Sequence, residues 1–94
     1  MNLIIKQKEN HFELSGFLTR QNLPRFQRRF QDIFQKHSEV KVNIEGLRSI
    51  DRFGVMALAR LHNHALMQEK AFSIIGYGSK ELYEEFQTED VLVA

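Results

Sequence analysis

Several stretches of this 94-residue chain carry side chains capable of chemistry. Asp51-Arg52-Phe53-Gly54 sets a carboxylate, a guanidinium and an aromatic ring side by side. His62-Asn63-His64 sets two imidazoles two residues apart. Arg20, Arg25, Arg28, Arg29 and Lys36 crowd one segment with cations, and Glu81, Glu84, Glu85, Glu89 and Asp90 crowd the C-terminal end with carboxylates. The histidine pair cannot share a metal, because residues two apart on a helix point about 200° apart. His62 leans to the apolar side and reads as a core or boundary histidine. His11 and His37 have no visible partners, so no metal site is expected. The arginines raise the question of nucleic acid, but Asp32 and the glutamines dilute them and the formal net charge is only +1. They read as a solvated helix face, with no nucleic-acid partner. Glu81, Glu84 and Glu85 read as a second solvated face near a helix start. The basic and acidic segments could also meet across a homodimer.

Catalysis finds little support. There is no nucleophile beside a base, no glycine-rich phosphate loop after a strand and no carboxylate pair on one face. Gly76-Tyr77-Gly78 lacks the third glycine and the lysine of a phosphate turn. The expectation is a protein that is not an enzyme and takes no cofactor. What remains is Asp51 and its neighbours, so the elements around them matter most.

Val40, Val42 and Ile44 alternate with Lys41, Asn43 and Glu45, the period of a strand with one dry face. After Gly46 the pattern predicts a short loop, and from Asp51 a helical period begins. Asp51 stands where an N-cap belongs, its carboxylate placed to accept from first-turn amides. Ile50 and Val55 have the spacing of a hydrophobic staple. On this reading Asp51→Ala costs roughly 1 kcal/mol and Asp51→Asn is nearly silent. The helix runs from about Arg52 to Gln68. Val55, Leu58, Leu61, Ala65 and Leu66 gather on one side, with Met56, Arg60, Asn63 and Met67 opposite.

Upstream, Leu3 to Lys6 and His11 to Gly16 read as strands joined at Glu9-Asn10. Asn22 is a plausible cap for a first long helix, with Pro24 in its first turn. Leu23, Phe26, Phe30, Ile33 and Phe34 form that helix's apolar stripe. Downstream, Ala71 to Gly76 reads as a strand, and Ser79 would cap a last helix anchored by Leu82, Tyr83 and Phe86. The first residues do not read as a signal peptide, no apolar run nears the ~20 residues of a membrane span, and cysteine is absent. The expectation is one small cytoplasmic domain spanning residues 1–94. The order strand, strand, helix, strand, helix, strand, helix predicts a hairpin followed by parallel strands. The wet strand faces put all the helices on one side. The fold class is α/β: two layers, with a four-stranded mixed sheet.

These residues resemble the STAS domains, typified by bacterial anti-sigma-factor antagonists. The resemblance rests on Gly16-Phe17-Leu18, the strand from Val40 to Ile44, Ile50-Asp51 with Gly54 opening a helix, and the strand from Ala71 to Gly76. It implies a protein-interaction module that binds an anti-sigma factor or switch kinase. Family members usually read Ile-Asp-Ser-Ser-Gly here, and a partner kinase phosphorylates the second serine. Arg52 and Phe53 occupy the serine pair in this chain, and neither accepts a phosphate. Ser49 is nearby but off register. Members lacking the serine include subunits docked on the ATPase of phospholipid-transport ABC systems, which gives the alternative partner.

The site expected from this reading is Arg52, Phe53, Met56 and Arg60 for partner binding, with Asp51 as the helix cap. Phe53 is either an exposed anchor or a lid folded over Ile50 or Leu47. Arg52 is unfavourable beside the positive helix end by roughly a few tenths of a kcal/mol, and suits an acidic group on a partner. The substitutions predict that protein from its own cells carries no phosphate at the switch position. Intact-mass analysis checks this. A stoichiometric phosphate mapped to Ser49, or near Asp51, would overturn it.

Overall fold

Alternating apolar side chains near the N-terminus build an antiparallel hairpin, the first unit of the computed structural model, which describes residues 2–76. Strand β1 (Leu3–Lys8) pairs with β2 (His11–Leu18) from Leu3 opposite Gly16 to Lys8 opposite His11. Glu9 turns the hairpin in the left-handed region, at φ 56°. Asn10 ties that turn to the next strand. Its Nδ2 donates to the Glu39 carbonyl at 2.9 Å, and its own carbonyl accepts from Lys41 N at 3.0 Å.

Strand β3 (Glu39–Ile50) lies parallel to β2, and β4 (Ala71–Ile75) lies parallel to β3. The sheet order is β1-β2-β3-β4. Helices α1 (Leu23–Phe30) and α2 (Ile33–Lys36) connect β2 to β3, and α3 (Arg52–Met67) connects β3 to β4. Phe12, Leu14, Val40, Val42 and Ile74 on the sheet share one buried cluster with Phe26, Phe30, Phe34 and Leu58 from the helices. Lys6, Glu13 and Lys41, on the opposite sheet face, are exposed. This is a mixed four-stranded sheet with its helices packed on one face, as the strand patterning requires.

Three local expectations give way. Strand β3 does not give way to a loop after Gly46. It continues to Ile50 and shifts register against β2 twice, between Glu13 and Ser15 and between Gly16 and Phe17. Each shift puts an extra β3 residue into the ladder and breaks the alternation, as bulges do. At the first, the Asn43 side-chain oxygen accepts from Glu45 N at 2.8 Å. The first long helix is two pieces, separated at Asp32 (φ −116°, ψ 23°), and both bury residues: Phe26 and Phe30, then Ile33 and Phe34. Asn22 does not cap α1; its Nδ2 donates back to the Phe17 carbonyl at 2.7 Å, fastening the turn to β2. The expected last helix from Ser79 lies outside the described residues.

Helix α3 buries Val55, Ala57, Leu58, Ala59, Leu61 and Ala65, while Leu66 is 62% exposed. The inward arc is therefore rotated away from Leu66, which falls at its margin. Leu58→Ala should cost ~2–5 kcal/mol and Leu66→Ser less than about 0.5 kcal/mol. Thermal unfolding of the two variants checks the orientation, and similar losses in both would contradict it.

Candidate functional site

The N-terminus of α3 meets the carboxyl ends of β2 and β3 through one side chain. Asp51 has an extended backbone (φ −101°, ψ −179°), and its Oδ1 accepts from Gly54 N at 2.9 Å. This is the expected cap, placed on the third helical amide. Its Oδ2 accepts from Arg20 N at 2.9 Å, across 31 residues of sequence. The Asp51 amide in turn donates to the Leu18 carbonyl at 3.2 Å. One residue thus fastens the exit of β2, the end of β3 and the start of α3. Burial pushes the Asp51 carboxyl up, but the amides of Arg20, Gly54, Phe53 and Asp51 itself outweigh it and hold it below its usual value.

Gly54 completes the junction. A Cβ at this buried position would collide with the Leu18 carbonyl oxygen and lie 2.8 Å from Ile50 Cγ1. The spacing of Asp51 and Gly54 therefore has a packing cause: the aspartate stops the first turn fraying, and the glycine lets that turn sit against β2. Ile50 and Val55, the proposed staple, both belong to the core, Val55 buried and Ile50 packed against it.

With the carboxylate engaged inward, other groups face solvent at the tip. Arg52 is exposed and Phe53 is 42% exposed. Of the two placements open to Phe53, the structure shows the outward one. Its ring lies under the Arg20 guanidinium, 5.5 Å from Cζ to ring centroid, a cation–π distance. Met56, one turn on, is half-buried. Arg60 is exposed a further turn along and lines a groove of about 210 Å³ between α1 and α3, floored by Phe26, Phe30, Ala57 and Leu61. Ser49 is exposed in β3, opposite Phe17 of β2.

The expected site residues therefore form a strip along α3 from Arg52 to Arg60, with Asp51 turned beneath it. Sequence reasoning missed Arg20, whose backbone binds Asp51 and whose side chain covers Phe53. Nothing local marks it, since its role depends on how β2 pairs with β3. His62 and His64 each meet a phenylalanine edge-on, Phe72 at 6.2 Å and Phe34 at 5.6 Å. Among the described residues no group of three histidine, cysteine, aspartate or glutamate side chains could hold a metal ion. No described helix is long and apolar enough to cross a membrane.

The second oxygen changes what substitution at Asp51 should do. Asparagine keeps one acceptor but turns an NH2 group toward the Arg20 or Gly54 amide, donor against donor. Asp51→Asn should then cost about 1–2 kcal/mol, far from silent, and Asp51→Ala about 2 kcal/mol. Gly54→Ala should cost ~1–3 kcal/mol from overpacking. Because the folded carboxyl titrates low, Asp51's contribution is complete above the unfolded value of ~3.9 and is lost as pH falls through the folded pKa. Denaturant melts of the three variants check this, with wild type and Asp51→Asn compared down to acid pH. An Asp51→Asn protein as stable as wild type would contradict the two-sided clamp.

No protein-family model matches the chain, and no curated protein matches it.

Proposed function

We propose that this chain is a non-catalytic protein-interaction module of the kind typified by STAS-domain anti-sigma-factor antagonists, acting in the cytoplasm. Its partner surface is the strip Arg52, Phe53, Met56 and Arg60, and its partner is an anti-sigma factor or a switch kinase. The observation that carries this reading is Phe53. A large aromatic 42% exposed at a helix tip, with a guanidinium over its face, leaves apolar surface in water that contact with another protein would remove at a gain. The element order and the Asp51–Gly54 junction agree with the resemblance without requiring it. The non-catalytic part rests on Asp51, whose two oxygens are both committed to backbone amides.

A second reading is favoured by the same position. Phenylalanine cannot be phosphorylated, which suits a subunit docked permanently on the ATPase of a phospholipid-transport ABC system. The two readings differ in the partner recovered from native cells.

Phe53→Ser restores the residue type usual in the resembling family. Lying outside the core cluster, Phe53 should tolerate this change at about 0.5 kcal/mol of stability. Loss of a central aromatic anchor should cost about 2 kcal/mol or more of binding. Thermal unfolding, together with affinity for the protein recovered in a pull-down, reads both quantities. A variant that melts far below wild type, or that binds the partner undiminished, would overturn the proposal.

A further inference from the structure

The basic residues of this chain are sorted by type. Every arginine lies within residues 20–29 or 48–60, and every lysine lies outside both. Residues 20–29 contain no carboxylate, and residues 48–60 contain only Asp51, whose oxygens are engaged. Arginine is the less hydrated cation, with a planar fork that matches carboxylates, and it is enriched at interfaces where lysine is depleted. Solubility alone would not require such sorting.

Three of these arginines converge away from the α3 tip. Arg25, Arg28 and Arg29 stand at i, i+3 and i+4 on α1, and with Ile5 of β1 they line a concavity of about 290 Å³. Like charges at this spacing cost a helix roughly 0.2–0.5 kcal/mol per pair. No carboxylate among the described residues offsets that cost by pairing with any of the three. Arg29 is oriented by a neutral group, its Nη2 donating to Gln7 Oε1 at 3.1 Å. Ile5 is half-buried and gives the concavity an apolar floor.

We propose that this cleft between β1 and α1 docks an acidic segment of a partner protein. Arg25, Arg28 and Arg29 take its carboxylates, and Ile5 meets one of its aliphatic side chains. The proposal rests on the reading of the chain as a protein-binding module and adds a second contact, remote from Phe53. Charge complementarity selects the occupant. Three forks around an apolar floor suit adjacent carboxylates with an apolar neighbour. A single-stranded nucleic acid would want an aromatic stacking platform, and the cleft is lined by no aromatic side chain.

The test uses the full chain and a short fluorescein-labelled peptide of alternating glutamate and leucine, followed by anisotropy. The peptide should bind, and its affinity should fall with added salt. The same peptide with glutamine for glutamate should not bind. Arg28→Glu should weaken binding about tenfold or more, and Arg28→Gln should weaken it less. Lys36→Glu, an exposed cation on α2, should change it by less than about twofold. Circular dichroism establishes that each variant is folded. The proposal is overturned if the acidic peptide fails to bind, if the glutamine peptide binds equally, or if Arg28→Glu and Lys36→Glu have equal effects. Tighter binding of single-stranded oligouridine at the same salt would also overturn it, in favour of a nucleic-acid surface. Failure here is distinguishable from failure of the module reading: Phe53→Ser should leave peptide binding intact, and loss of the native partner in Phe53→Ser does not depend on the cleft.

Discussion

Both oxygens of a single carboxylate hold the helix that bears the candidate surface to the sheet beneath it. Asp51 caps α3 through Gly54 N and reaches across to Arg20 N, each at 2.9 Å. A cap alone would set where α3 begins. The second bond also sets how that beginning lies against the exit of β2, since Arg20 is two residues beyond Leu18. The same turn then places the Arg20 side chain over Phe53. The exposure of Phe53 is thus tied to the clamp, and the surface inherits its geometry from a half-buried carboxylate and the two amides that hold it.

The sequence was legible where one physical period ruled a segment. Val40, Val42 and Ile44 alternate, and they are buried as the alternation requires. Asp51 precedes a helical period, and it caps. The hairpin and the parallel run of the later strands followed from the sequence of strands and helices and the handedness of crossovers, whereas the order β1-β2-β3-β4 could not be read from it. Legibility failed where a long-range contact decides the local structure. The two register shifts of β3 erase the alternation after Ile44, so a strand reads as a loop. Asn22 looks like a cap by type, but the Phe17 carbonyl claims its side chain. Leu66 fits the helical stripe by angle yet sits at its margin, 62% exposed. At the candidate site, the residues of α3 were readable from the helix wheel, whereas Arg20 was not, because its part depends on a contact 31 residues away.

Charge gives the domain two unlike sides. Lysines and glutamates such as Lys6, Glu13 and Lys41 alternate across the open sheet face, where mixed signs keep a strand surface wet. Among the described residues, helices α1 and α3 carry five arginines and no aspartate or glutamate within their own spans. A near-zero net charge conceals this separation, which is why net charge is a poor guide to partners for this chain. A protein approaching the helical side meets an aromatic ring and several guanidiniums, while one approaching the sheet meets a balanced surface.

The most direct test of the clamp is a carbon-13 titration of the Asp51 carboxyl in the full chain, followed with the amide resonances of Arg20 and Gly54. The account predicts a midpoint below the ordinary aspartate value of ~3.9, with both amides shifting at that same midpoint as each loses its ionised acceptor. A midpoint at or above the ordinary value, or a response from Gly54 without one from Arg20, would contradict it and leave Asp51 a simple cap.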